Sequence, residues 1–142
     1  MNFTDVHGRR GDYAPLRSAP VPLVLGMEAA GVVEALGEGV ERFRVGDRVA
    51  YASAPLGAYR DVRNFPAERC VAVPAGVSDR DAAAILLKGL TVHMLIRRVY
   101  PVPPGAWILF HSAAGGVGTL AGQWLRAIGA HSIRFPSVDG VI

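Results

Sequence analysis

The feature that most constrains the fold is a glycine-rich segment, Ala113-Ala114-Gly115-Gly116-Val117-Gly118. The run Trp107-Ile108-Leu109-Phe110 precedes it and is continuously apolar, as in a buried strand of a parallel sheet. After it, apolar residues recur at helical spacing up to Gly129, at Val117, Leu120, Ala121, Trp124, Leu125 and Ile128. A strand, a glycine loop and a helix in this order predict the start of a nucleotide-binding α/β domain.

The chemistry of such a loop depends on its backbone. Glycines permit a tight turn and a close approach to a pyrophosphate, and the amides at the helix N-terminus attract the anion. A second interpretation is that the glycines serve only the close packing of strand on helix. An acidic residue that holds a ribose hydroxyl usually follows about 20 residues later. Asp139 is the acid in that region, but its sequence is typical of a turn, and we assign it no role.

The residues up to about Gly76 have a different composition. Short runs rich in Val, Ala and Tyr alternate with Gly and Pro, which predicts an all-β region of short strands and turns. The expected turns are Gly37-Glu38-Gly39 and Val45-Gly46-Asp47, and the expected strands run from Val32 to Leu36, from Arg48 onward, over 58–62 and over 70–73.

From Ser78 the pattern changes to helix. Ser78 can cap the first turn, with Asp81 three residues later, and the helix is predicted to continue to about Tyr100. Prolines at 101, 103 and 104 prevent its continuation. A second strand is expected over 132–135. The predicted class is therefore mixed α/β, with a β-rich part before a βα part.

Composition narrows the possible functions. Of the 142 residues 51% are hydrophobic, and the net charge of +3 comes from bases spread along the chain, so neither disorder nor nucleic-acid binding is favoured. The single cysteine, Cys70, excludes an internal disulfide framework and is expected to be an inert core residue. No apolar stretch is long enough to cross a bilayer. We expect a cytoplasmic protein with no membrane partner.

Metal and hydrolase chemistry find little support. The four histidines lie far apart, without the spacing of a metal motif, so no metal ligand is predicted. No Gly-x-Ser-x-Gly segment is present, which argues against the simplest serine hydrolase. Lys88 is the only lysine, and chance usage explains this as well as function does.

Several motifs in order resemble NADPH:quinone oxidoreductases of the zeta-crystallin type, within the medium-chain dehydrogenase/reductase superfamily. They are Asn2-Phe3-Thr4-Asp5, Gly26-Met27-Glu28-Ala29-Ala30-Gly31, Val45-Gly46-Asp47-Arg48-Val49, Leu87-Lys88-Gly89-Leu90-Thr91 and the glycine loop. The resemblance runs from Asn2 to about Ala130. It implies a GroES-like catalytic domain over 1–85 and the first part of a Rossmann cofactor domain over 86–142. The opening strands of the first domain and the later part of the second are absent from this sequence.

The resemblance also implies functional residues. Asn2, Asp5, Tyr13 and Lys88 correspond to residues of the catalytic cleft. Cofactor contacts are implied at Phe3, Thr4, Asp5, Val6, His7, Lys88, Met94, Ala113, Gly115, Gly116, Val117 and Gly118. His7 replaces a tyrosine that usually contacts the cofactor, and Met27 stands where zinc-dependent relatives have a histidine, consistent with zinc-independent chemistry.

The implied activity is hydride transfer from NADPH to a quinone or another small electrophilic acceptor. Two alternatives remain, a non-catalytic binding or structural module of the same fold and an enoyl or alkenal reductase. The preference for NADPH over NADH comes from the family, because the segment that selects it lies outside the resemblance. Full-length members commonly form homodimers, through segments that lie beyond Ile142.

Overall fold

The computed structural model of the protein describes residues 1–13 and 21–135, and it divides the chain into two compact units, Met1–Leu87 and Lys88–Ile142. The mixed α/β class predicted from the sequence is confirmed. Asp139 lies outside the described residues. Within them, no helix combines the length and the apolar character that spanning a bilayer would require.

The first unit contains a three-stranded antiparallel sheet. Strands β1 (Glu28–Val32), β2 (Arg48–Ala52) and β3 (Cys70–Ala72) lie in the order β1-β2-β3. Ala30 pairs with Ala50, and Ala50 pairs with Val71. Phe43, Tyr51 and Cys70 form the buried core beside this sheet, with a short 3₁₀ helix (Ala67–Arg69) before β3. The turns expected at 37–39 and 45–47 are present, although the first strand is centred earlier than expected and ends at Val32.

The expectation of an all-β first region is wrong at its start, where helix α1 (Phe3–Arg10) forms. Asn2 is the N-cap, and its backbone N–H donates to Oδ2 of Asp5 at 2.8 Å, half of a capping box. At the other end Gly11 adopts φ 78°, a left-handed conformation that suits glycine after a helix. Both end signals are in the sequence, but eight residues are too few for a clear apolar period.

The strand expected over 58–62 is also absent. Instead, the N–H groups of Gly57 and Ala58 donate to the carbonyl of Gly26, and the N–H of Tyr59 donates to the carbonyl of Leu25. The backbone N–H groups of this segment are therefore bonded to Leu25 and Gly26, and the segment forms no regular strand pairing.

The predicted long helix is present as α2 (Asp79–His93), followed by a π-helical segment (Met94–Val99). Ser78 caps it as expected, since its Oγ accepts from the N–H of Asp81 at 3.0 Å. Arg48 fastens the start of the helix to β2, donating to Oδ1 of Asp79 and to the carbonyl of Val77.

The second unit contains a β-α-β arrangement. Strand β4 (Trp107–Phe110) is followed by helix α3 (Gly116–Ala127) and by strand β5 (His131–Arg134), which pairs parallel to β4. The predicted second strand is thus confirmed, one residue earlier than expected. Val92, Ile96, Val102, Ala121 and Leu125 form the buried core, and Ile108 and Phe110 pack against it.

The other face of β4 corrects the expectation of a fully buried strand. Trp107 and Leu109 are 69% and 56% exposed, and Ile133 on β5 is 47% exposed. Because side chains alternate along a strand, only Ile108 and Phe110 reach the core on the α3 side. The strand therefore has apolar side chains on both faces, and the described residues cover only one of these faces.

We expect Leu125→Ala to lower the free energy of unfolding of the second unit by about 2–5 kcal/mol, because the side chain is fully buried and its loss leaves a cavity. Leu109→Ala is the matched control on the exposed face, with an expected loss below about 1 kcal/mol. Urea unfolding followed by far-UV circular dichroism measures both. Equal losses in the two variants would contradict the assignment of the packed face.

Candidate functional site

A buried carboxylate organises the polar residues of the first unit. Asp5 is only 5% exposed and accepts three hydrogen bonds. Its Oδ2 accepts from the backbone N–H of Asn2 at 2.8 Å and from the hydroxyl of Tyr59 at 2.9 Å, and its Oδ1 accepts from the N–H of Gly26 at 3.2 Å. A buried carboxylate is tolerated only when its charge is satisfied in this way. Asp5 thus joins α1 to two distant loops.

A second buried carboxylate, Glu28 at the start of β1, orients Asn2. Its Oε1 accepts from Nδ2 of Asn2 at 2.9 Å, and its Oε2 accepts from the backbone N–H of Leu87 in α2 at 2.8 Å. An amide nitrogen carries two hydrogens, so Nδ2 of Asn2 keeps one for another acceptor. The half-buried amide is therefore held in one orientation with one donor to offer.

Gly26 makes this arrangement possible. Its φ of 100° is a left-handed conformation, and a Cβ placed there would lie 2.8 Å from Cβ of Ala58 and 2.9 Å from the ring of Tyr59. A side chain would therefore push away the segment whose tyrosine binds Asp5.

Tyr59 has a strongly perturbed hydroxyl. Partial burial, its hydrogen bond to Asp5 and the negative charges of Asp5 and Glu28 together raise its pKa from 10.0 to about 12. The residue as a whole is nevertheless 49% exposed. Tyr59 is accordingly a neutral donor to Asp5 across the physiological range.

The remaining residues predicted on α1 lie around this network. Phe3 and His7 are exposed and near each other, with ring centroids 6.1 Å apart, as residues four apart on a helix should be. Thr4 and Val6 are half-buried. Tyr13 follows the helix, and its N–H donates to the carbonyl of His7.

The glycine loop lies between β4 and α3, as predicted. Gly118 is buried, and a Cβ there would lie 2.5 Å from Cα of Ala113 and 2.6 Å from its carbonyl oxygen. Backbone atoms cannot yield as a flexible side chain can, so this position requires glycine. The close packing interpretation is therefore correct for Gly118, and it leaves the amides of the first helical turn available to a ligand.

Gly116 has a different neighbour. A Cβ there would lie 2.8 Å from Cδ and 2.9 Å from Cε of Lys88, so the lysine stem runs directly over the start of α3. The structure thus brings Lys88 to Gly116. The Cβ of an alanine at Gly115 would be 3.3 Å from the carbonyl oxygen of Ser112, which is close but not prohibitive. Met94, at the start of the π-helical segment, is 48% exposed.

Sequence reasoning missed two members of the first network. Glu28 belongs to the Gly-Met-Glu motif, but nothing in the spacing of that motif indicates that it holds Asn2. No local sequence pattern indicated Tyr59 as a site residue, because its partner Asp5 is 54 residues away. Among the described residues no group of three His, Cys, Asp or Glu is arranged to hold a metal ion.

Comparison with known proteins gives a consistent result. The profile of the alcohol dehydrogenase GroES-like domain matches residues 1–76. A quinone oxidoreductase of Salmonella typhimurium is 50% identical over 133 residues, which are 94% of this chain and 40% of that protein. A 2-haloacrylate reductase of a Burkholderia species is 42% identical over 98% of this chain and 42% of its own length.

The fold is similar to solved structures over the same region. The crystal structure of Escherichia coli quinone oxidoreductase complexed with NADPH superposes with a TM-score of 0.87 at 47% identity, over 94% of this chain and 40% of that chain. The chain therefore spans about two fifths of the length of these relatives.

We expect Gly118→Ala to lower the free energy of unfolding of the second unit by about 1–3 kcal/mol, because the methyl group would overlap the backbone of Ala113. Gly89→Ala is the matched control, since nothing lies within 4 Å of its Cβ and alanine favours a helix by about 0.5–1 kcal/mol. Thermal unfolding should therefore move in opposite directions in the two variants. A neutral Gly118→Ala would refute the tight approach.

We expect the ultraviolet titration of wild type minus that of Tyr59→Phe to show a phenol with a pKa of about 12. The neutral phenol is the form that donates to Asp5, so its stabilising effect is complete below pH 10 and is lost as the pH rises towards 12. Denaturant unfolding at pH 9 and above should show wild type losing its advantage over Tyr59→Phe across that interval. A difference that stays constant with pH would contradict the Tyr59–Asp5 bond.

Proposed function

Because the chain belongs to the alcohol dehydrogenase GroES-like domain family, we propose that it forms part of an NADPH-dependent, zinc-independent quinone oxidoreductase. The observation that carries this proposal is the glycine loop with Lys88 stretched over Gly116, in a chain 50% identical to a quinone oxidoreductase. The whole protein's activity belongs to the proposal, since the chain covers only 40% of that relative.

The second unit offers a fitting cradle for the cofactor. A Cβ at Gly116 would lie 2.8 Å from Cδ of Lys88, so the absence of a side chain lets the lysine stem pack against the start of α3. We propose that the N–H groups of Gly116 and Val117 donate to the pyrophosphate and that Gly118 and Ala113 hold the loop in the required shape. Gly115 is the N-cap of α3 and has an extended backbone.

Lys88 and Met94 complete this half of the proposed site. The lysine ammonium adds positive charge beside an anion, and its stem packs on the glycine loop. Met94 is exposed enough to contact a ring of the cofactor with its thioether. Bound NADPH would supply the hydride.

The first unit offers the groups that act on the acceptor. We propose that the unused hydrogen on Nδ2 of Asn2 donates to the acceptor oxygen and stabilises the negative charge that develops there. Glu28 holds the amide for that purpose. Tyr13 is proposed to support acceptor binding with its phenol ring. The proposed cofactor contacts on α1 are Phe3, Thr4, Val6 and His7.

Asp5 has a different role from the direct one that the family resemblance implies. Its oxygens are buried and already accept three hydrogen bonds, so we propose that it is a positioning residue that fixes Asn2 and Tyr59. This role predicts that its removal disturbs α1 as well as any turnover.

An enoyl or related alkene reductase is the second candidate. The 42% identity to a 2-haloacrylate reductase favours it, because the same donors would stabilise an enolate as well as a quinol oxyanion. A non-catalytic module would bind NADPH without turning over either acceptor.

We expect NADPH to raise the thermal stability of the folded chain, by about 2.7 kcal/mol at a concentration 100 times its Kd. Lys88→Met should weaken binding by about tenfold, because it removes a charged contact and keeps an apolar stem. Arg126→Met, which removes the same charge from the far end of α3, is the matched control and should bind as wild type does.

The same preparation distinguishes the candidates. NADPH oxidation with a quinone, compared with an α,β-unsaturated carbonyl compound, separates the two reductases. Binding without oxidation of either would favour the non-catalytic module. Absence of any stability change in a chain shown to be folded by circular dichroism would contradict cofactor binding by these residues.

A further inference from the structure

A cavity of about 620 Å³ lies against α1 in the first unit. Asp5, Val6, Arg9 and Arg10 line it from the helix, since residues four apart share a helix face. Met1, Leu25 and Tyr59 complete the lining. The lining therefore combines apolar contact from Met1, Val6 and Leu25 with the two arginines and members of the Asp5 network.

The two arginines are chemically unused. Neither the Arg9 nor the Arg10 side chain has a hydrogen bond or an ion pair within residues 1–13 and 21–135. Asp5 is four residues before Arg9 and could have paired with it, but its oxygens already accept from Asn2, Gly26 and Tyr59. The other acid nearby, Asp12, lies 3.9 Å from Nδ1 of His7.

The helix dipole of α1 does not explain why two arginines lie beside a cavity. Basic residues in the last turn of a helix complement its dipole, but that effect needs one charge and no cavity. The next segment, residues 14–20, contains no acidic residue that could neutralise them. Two positive charges beside apolar side chains are complementary to an anion that carries an apolar body.

We propose that this cavity binds the carboxylate of a small anion with an unsaturated or aromatic body, with Arg9 and Arg10 as its ligands. A guanidinium matches a carboxylate with two parallel hydrogen bonds, and Val6 and Leu25 provide contact for the hydrocarbon part. The oxygens of Asp5, which also lines the cavity, already accept hydrogen bonds from Tyr59, Asn2 and Gly26, so the two arginines are the groups left to bind a carboxylate. Inorganic phosphate has no hydrocarbon part, so it would make no contact with the apolar side chains of the cavity.

This acceptor class belongs to the proposed reductase, and to that extent the inference rests on the proposed function. Acceptors that bear a carboxylate next to the reducible bond would be preferred over neutral ones. Binding itself does not depend on NADPH, so the two proposals can fail separately.

The test uses the 142-residue chain without cofactor, benzoate as the anionic probe and benzamide as its neutral counterpart. Nitrogen–proton correlation spectra at constant ionic strength should show benzoate shifting the amides of α1, with benzamide binding at least about tenfold more weakly. Arg9→Gln and Arg10→Gln should each weaken benzoate by about tenfold. Arg9→Lys should weaken it less, because the charge remains and the fork is lost.

Arg80→Gln is the control, since it removes the same charge from an exposed position on α2 and should leave benzoate binding unchanged. Equal binding of benzoate and benzamide would overturn the proposal, as would equal weakening by Arg80→Gln. Arginine variants that still bind NADPH but lose benzoate would support both proposals. If the chain binds benzoate but fails to bind NADPH, the proposed anion site in the cavity stands and only the proposed reductase function is refuted.

Discussion

The carboxylate of Asp5 is the interaction on which the first unit depends. It is buried, and its three donors come from the helix cap, from the Gly26 loop and from Tyr59, the last two being 21 and 54 residues away along the chain. Burying an unpaired carboxylate costs several kcal/mol, so these donors must stay together for the fold to persist. That requirement explains the left-handed Gly26, the missing strand at 58–62 and the fixed position of Asn2. The proposed donor to the acceptor is a consequence of the same constraint.

The second unit is shaped by backbone contact instead of charge. Gly118 lets α3 approach Ala113 to a distance that no side chain could share, and Gly116 leaves room for the Lys88 stem. Both glycines therefore serve close packing, one against the backbone of Ala113 and the other against the side chain of Lys88. Close packing does not compete with the proposed cofactor binding, because an anion would bind the backbone N–H groups of the same loop.

How much the sequence predicted depends on the range of each interaction. The β4–α3–β5 order, the Ser78 cap and the turns at 37–39 and 45–47 were predictable, because each depends on neighbours within a few residues. Helix α1 was missed although Asn2 and Gly11 mark its two ends, since eight residues are too few to show an apolar period. Glu28 and Tyr59 were missed as site residues because their partners are brought near by the fold, and no local pattern encodes that.

The packing of the second unit bears on how a ligand would act on it. Parallel sheets are normally covered on both faces, yet Trp107, Leu109 and Ile133 expose an apolar face on the side away from α3. The described residues therefore stabilise the β-α-β arrangement through one core, around Val92 and Leu125. A single packed face buries less apolar surface, so the energy of the anion proposed to bind the glycine loop would be a larger fraction of the free energy of unfolding. Occupancy of the loop and folding of the unit would then be coupled more tightly than in a sheet covered on both sides.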